Sequence, residues 1–159
     1  MPIQKITPFL WFATAAEDAA KFYTSIFPNS KILATTHYCP GSPGPAGSVM
    51  TVEFELDGLK FVAFNGCAVF QFTEAISFVV TCQTQVEIDA LWDKLTVGGT
   101  EIQCGWLKDR FGLCWQIVPA ELPKILKNPD PEKAQNVMKS MMGMKKLDIA
   151  ALKRAAGIS

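Results

Sequence analysis

Few side chains in this sequence can do chemistry, and their spacing already excludes several reactions. His37 is the single histidine. Catalysis built on several histidines is therefore excluded, as is a metal site with two histidine ligands. The cysteines are Cys39, Cys67, Cys82, Cys104 and Cys114, an odd number with no pair at C-x-x-C spacing. That pattern gives buried reduced thiols rather than a structural zinc site or a disulfide framework. His37-Tyr38-Cys39 is a short ligand-like cluster, but it reads as the solvent-side end of a strand. The glycine-rich stretches, 41–47 and 98–99, are not a G-x-G that follows an apolar strand and opens a helix. A methyl-donor or dinucleotide pocket of the doubly wound type is thus disfavoured, and no Walker motif occurs. What remains is a set of large aromatics and a few carboxylates and amides. Such a mixture suits a small organic ligand.

These residues sit in a chain of 159, about one domain long, with 49% apolar and 19% charged residues. Fifteen basic residues balance fifteen acidic ones, so the chain has no electrostatic footprint for nucleic acid. No basic patch for anionic lipid shows, and no apolar run approaches the ~20 residues needed to cross a bilayer. The start, Met1-Pro2-Ile3-Gln4-Lys5, lacks the apolar stretch of a signal peptide, so a cytoplasmic location is expected.

The elements that must position the candidates come in two rounds. Residues 7–12 form an apolar run, a first strand. Thr14-Ala15-Ala16-Glu17 reads as a capping box, with the hydroxyl accepting from the third helical N–H and Glu17 reaching back. The helix that follows buries Ala16, Ala19, Ala20, Tyr23, Ile26 and Phe27. Residues 31–37 make a second strand, and the Pro/Gly-rich stretch 39–47 is a loop. Residues 48–56 alternate as a third strand, Asp57-Gly58 turns, and 59–65 is the fourth. A strand over 76–82 opens the second round. Thr84-Gln85-Val86-Glu87 repeats the capping box 70 residues on, ahead of a helix facing inward with Ile88, Leu91, Trp92 and Leu95. Short strands around Ile102 and Trp106 follow, then a last strand over 113–118. The final strands also match, because 58–64 and 112–118 both read Gly-Leu-x-aromatic-x-apolar-apolar at an offset of 54. The two offsets differ by 16 because the second copy lacks the Pro/Gly loop. A βαβββ unit repeated twice explains both. A helical C-terminal extension completes the chain. Asp130-Pro131 starts a helix to about Met142, and Asp148 caps a last one. Val137, Met138, Met141 and Met144 form a stripe that reads as packing.

The segments 6–12, 19–27, 47–54, 72–78 and 104–112, together with Asp130-Pro131-Glu132-Lys133-Ala134, resemble the PhnB-like family. That family carries the label "3-demethylubiquinone-9 3-methyltransferase domain" and lies within the vicinal oxygen chelate superfamily of glyoxalase I, extradiol dioxygenases and bleomycin-resistance proteins. The resemblance implies an α+β fold in which two βαβββ modules form a curved mixed sheet. The boundaries are then about 5–66 and 72–119 for the modules and about 120–157 for the extension, within one glyoxalase-like domain over 1–159. It also implies a homodimer. Where relatives place a Pro-His pair before Phe70, this chain has Ala68-Val69.

The superfamily projects His and Glu metal ligands from repeat-related positions on the first and last strands. Here those positions are Thr7 and Ser77, or Pro8 and Phe78, and then Val62 and Gln116. None is His, Asp, Glu or Cys, so no metal and no cofactor are expected. The leading reading is a metal-independent small-molecule-binding protein of this family. The substrate-binding candidates are Trp11, Glu53, Asn65, Glu74, Trp106 and Gln116, while Asp109 reads as a turn residue and Trp115 as core. The alternative is an enzyme of the superfamily. It would use Glu53 or Glu74 as an acid–base group, or have the methyltransferase or glyoxalase/dioxygenase-like activity that the family names suggest.

Overall fold

The computed structural model describes residues 3–158 and resolves into two compact units, divided between Phe72 and Thr73. Met1 and Pro2, part of the segment read above for a leader, lie outside the described residues, as does Ser159. No helix among the described residues is long and apolar enough to cross a membrane.

The first unit has the order β1 (Phe9–Phe12), α1 (Ala16–Ile26), β2 (Lys31–His37), β3 (Val49–Leu56), β4 (Leu59–Asn65). Its sheet runs β1-β4-β3-β2, with β1 parallel to β4 and the other pairs antiparallel. Strand alternation sends Leu10, Phe12, Val52, Phe54, Leu56, Phe61 and Ala63 to one buried face. Helix α1 packs there, with its Tyr23 ring stacked on Phe54 at 6.1 Å. Its inward side carries the six residues that the periodicity names, all buried.

The second unit repeats the plan with β5 (Ser77–Cys82), α2 (Gln85–Leu95), β6 (Thr100–Glu101), β7 (Trp106–Lys108) and β8 (Cys114–Pro119), in the sheet order β5-β8-β7-β6. The repeat offsets reappear as strand register. Phe9 faces Val62 across the parallel pair in unit 1, and Val79 faces Gln116 in unit 2. The helices are offset by 69 rather than 70, because α1 begins at Ala16 and α2 at Gln85.

That single residue corrects one expectation. Thr84 caps α2 as its box predicts, accepting from the Glu87 N–H at 3.2 Å, while the Glu87 carboxylate accepts from the Gln83 N–H at 2.8 Å. Thr14 does not cap α1. The N-cap position is Ala15, and the Asn65 side chain at the end of β4 accepts from the Ala16 N–H instead, at 2.9 Å. A partner from across the sheet replaces the local one, which leaves the Thr14 hydroxyl clear of the helix.

Beyond β8 come α3 (Leu122–Leu126), α4 (Pro131–Met142) and α5 (Ile149–Ala155), the last two capped by Asp130 and Asp148 as expected. Ile125, Val137, Leu147, Leu152 and Ala156 form a buried cluster, with Met141 and Met144 packed on it. Of the methionine stripe, Met138 stays exposed.

Candidate ligand-binding site

Each sheet has one face that its own helix covers and one that it does not. In unit 1 the uncovered face carries Phe9, Trp11, Val62, Phe64, Thr51 and Glu53 by strand alternation. Three of these aromatics form a connected group. Phe64 contacts Phe9 at 5.4 Å and Trp11 at 4.9 Å, and Trp11 meets Phe70 edge-on at 4.9 Å. The Trp11 indole N–H donates to the Cys67 carbonyl at 2.8 Å, which fixes the ring's rotation. Gly66 lies under that ring, where an added Cβ would come within 2.1 Å of it. Glu53 is exposed, faces Val62 in register, and lines a recess of about 610 Å³ together with Lys60, Thr7 and Leu33.

In unit 2 the equivalent row is Val79, Gln116 and Trp106. Gln116 is half-buried and its amide donates to the Ser77 hydroxyl at 2.9 Å. The two side chains at repeat-related ligand positions are thus bonded to each other. The next row is Ser77, Cys114 and Lys108. Lys108 pairs with Glu74 at 2.5 Å, and the ammonium beside Glu74 holds its carboxyl below the usual range. The Glu74 carboxylate is thus held in an exposed ion pair. Cys114 is fully buried, and burial pushes its thiol up, with Lys108 opposing that in part. Cys82, at the end of β5, is pushed up to about 11 by burial, with the Glu87 charge adding to it. Both thiols stay protonated at neutral pH. The expectation of buried thiols holds for these two and fails for the others, because Cys39 and Cys67 lie on exposed loop segments and Cys104 is half-buried.

Of the six candidates, Trp11 and Glu53 share the uncovered face of unit 1, and Trp106 and Gln116 face each other in unit 2, near the Glu74–Lys108 pair. Asn65 lies off these faces and lines a separate cleft. Its side chain points to the helix side, where it caps α1 and donates to the Val49 carbonyl at 3.1 Å. Trp115 is core as expected, 2% exposed, and its indole donates to Asp109 at 2.9 Å. Asp109 is more than a turn residue. It is 3% exposed and also accepts from the Phe111 and Leu113 N–H groups at 2.8 and 3.1 Å. Asp-x-x-Gly at a strand turn carries that signal in the sequence. Lys108 and Tyr38 carry none, because their roles depend on partners 34 and 27 residues away.

A cleft of about 630 Å³ opens at the carboxyl ends of the parallel pair β1 and β4. Its walls are the turn into α1 with Thr14 and Asp18, the 39–48 loop with Ser48, and the strap after β4 with Cys67. The loop is pinned at its base by the Tyr38 N–H on the Ser48 carbonyl and the Gly47 N–H on the Tyr38 carbonyl, at 2.9 and 2.8 Å. The Tyr38 hydroxyl donates to the Asn65 carbonyl. Gly44 lies on the Tyr38 ring so closely that an added Cβ would come within 2.3 Å.

Comparison with known proteins now places the chain. The family model described as 3-demethylubiquinone-9 3-methyltransferase matches residues 4–118. The chain belongs to that family. A solved structure of a putative 3-demethylubiquinone-9 3-methyltransferase, a PhnB protein from Bacillus cereus, is 38% identical. The match covers 74% of this chain and 100% of that one, with a TM-score of 0.68. A protein from Pseudomonas aeruginosa is 19% identical over 74% of this chain and 98% of its own, with a TM-score of 0.61. A genomically encoded fosfomycin resistance protein from Listeria monocytogenes is 13% identical over 78% and 98%, with a TM-score of 0.52. These two likenesses show the fold alone. No curated protein matches the chain. The family match stops at Val118, so α3, α4 and α5 lie outside it.

Proposed function

We propose that this PhnB-like protein binds a small organic molecule, without a metal, on the sheet faces that its helices leave uncovered. The observation that carries the reading is the pair of half-buried indoles, Trp11 and Trp106, each on such a face beside a few polar groups. Rings held edge-on by Phe64 and Phe70, or set across the ladder from Gln116, offer apolar area with defined orientation. Gln116 keeps its amide oxygen as an acceptor after donating to Ser77. The metal-free part rests on residue type. The two rows hold Phe9, Val62 and Glu53 in one unit and Val79, Gln116 and Trp106 in the other, which gives a single carboxylate and no imidazole or thiol.

Ligand-dependent thermal shift on a fragment library, paired with elemental analysis of untagged protein, tests the proposal. The expected result is a ligand-induced rise in melting temperature with metal content well below one per chain. That rise should weaken in Gln116→Leu, whose own stability changes little. A near-unit metal content, removable by a chelator with loss of ligand binding, would contradict the metal-free reading.

A further inference from the structure

The repeat assigns a second site, separate from the sheet faces. In each unit, three segments meet at the carboxyl ends of the parallel strands: the turn into the helix, the loop between the second and third strands, and the chain after the fourth. In unit 1 they enclose the open cleft of about 630 Å³. In unit 2 the chain itself meets two of the three equivalent segments, through residues 144–149. The Cys104 and Gly105 N–H groups, on the loop between β6 and β7, donate to the Met144 and Lys145 carbonyls, both at 2.8 Å. Gln85, the first residue of α2, grips the segment from the other wall. Its amide donates to the Leu147 carbonyl at 3.0 Å and accepts from the Ile149 N–H at 2.8 Å. Leu147 is fully buried, and Lys146 pairs with Asp89 at 2.9 Å. The occupant is thus non-helical chain before α5, read through its backbone, with one apolar anchor and flanking lysines.

We infer that the unit 1 cleft docks a segment of the same chemistry from a partner protein: non-helical chain with a lysine beside an apolar anchor. The strands and loops that frame the two places are repeat equivalents, and among the described residues the chain fills the unit 2 place alone. Ala16 stands where unit 2 has Gln85, so unit 1 has no such grip on its own chain. The charge is complementary. Glu17 and Asp18 line the cleft, and among the described residues no Lys, Arg or His does. Glu17 is shared with Lys21 at 2.6 Å, which leaves Asp18 as the carboxylate for an incoming ammonium. The Thr14 hydroxyl, released from capping, can pair with a backbone, and the Ser48 hydroxyl, which donates to the Pro45 carbonyl at 2.6 Å, can still accept from a backbone N–H.

The test uses the full ¹⁵N-labelled chain and a blocked hexapeptide, Met-Lys-Lys-Leu-Asp-Ile, copied from the internal segment. Expected are saturable amide shifts at Thr14, Asp18, Ser48 and Cys67, with a dissociation constant tighter than about 1 mM. Asp18→Lys should weaken binding about tenfold or more, Asp18→Asn less, with melting curves confirming that both fold. A peptide with glutamates for the lysines should give no shifts. The inference falls if no saturable shift appears, if shifts stay within residues 73–158, or if Asp18→Lys binds equally well. It falls too if lysine amide alone binds as tightly as the hexapeptide, because the site would then read a cation rather than a chain. Trp106→Phe should leave the peptide shifts unchanged, so failure here and failure of the sheet-face reading are separable.

Discussion

The two units share strand order, register and helix placement, yet they finish the carboxyl end of their parallel strands in opposite ways. Unit 2 satisfies that end locally and fills it. Thr84 caps α2 while Glu87 reaches back to the Gln83 N–H, and Gln85 and Gly105 hold the chain that leads into α5. Unit 1 satisfies it at long range and leaves it open. Asn65 caps α1 from β4, Tyr38 latches onto Asn65, and the inserted loop stands up as a wall. A duplicated frame can thus keep one packing plan on the helix side while its two ends diverge, because only a few polar partners at each end need to change.

The largest effect should come from the filled end. Gly105 has φ +83°, and a Cβ there would approach the Ile117 carbonyl at 2.9 Å and the Leu147 side chain at 3.0 Å. Gly105→Ala should cost about 2–4 kcal/mol in chemical denaturation, from backbone strain plus a forced shift of a buried contact. A loss under about 0.5 kcal/mol would mean that residues 144–149 are not held there as described.

At the open end, Asn65→Ala removes the α1 cap and the bond to Val49, and should cost about 1–2 kcal/mol. Thr14→Ala should be near neutral. If Thr14→Ala proves the costlier of the two, the local capping box is restored and the contrast between the units disappears.

The smallest effect concerns the Glu74–Lys108 pair. Because the folded carboxyl lies below its ordinary value of 4.5, its contribution is present above that value and lost as pH falls through the lowered one. Wild type should therefore lose its small advantage over Glu74→Gln only in acid. An advantage at neutral pH that survives acidification would contradict the pairing. Both side chains are solvent-accessible, so added salt should erode the difference as well.

The sequence made legible whatever local periodicity controls. The alternation in β3, the inward side of α1, the box at Thr84 and the caps at Asp130 and Asp148 need only neighbours a few residues apart. The doubled unit was legible because two motif pairs recur in the same order, at offsets of 70 and 54, and strand register repeats both. What stayed hidden depends on distant partners. Thr14 and Thr84 sit in matching motifs, but one extra residue before α1 and an amide 49 positions away decide between them. For the candidate site, alternation in the sequence set Glu53 outward and Gln116 on the face opposite Trp115, whereas strand register in the structure adds Trp11 and Trp106 to the uncovered faces. Asn65 lies on the other face and lines the cleft instead, because Phe12, its register partner, faces the helix.

The uncovered faces are tested most directly by tryptophan emission. Trp92 and Trp115 are buried, with their indoles bonded to Glu101 and Asp109, whereas Trp11 and Trp106 are half-buried on the uncovered faces. A compound that raises the melting temperature should also change the emission of wild-type protein and of Trp92→Phe. It should leave the emission of the Trp11→Phe, Trp106→Phe double variant unchanged. A full ligand-induced change retained in that folded double variant would place the ligand away from these faces and contradict the account.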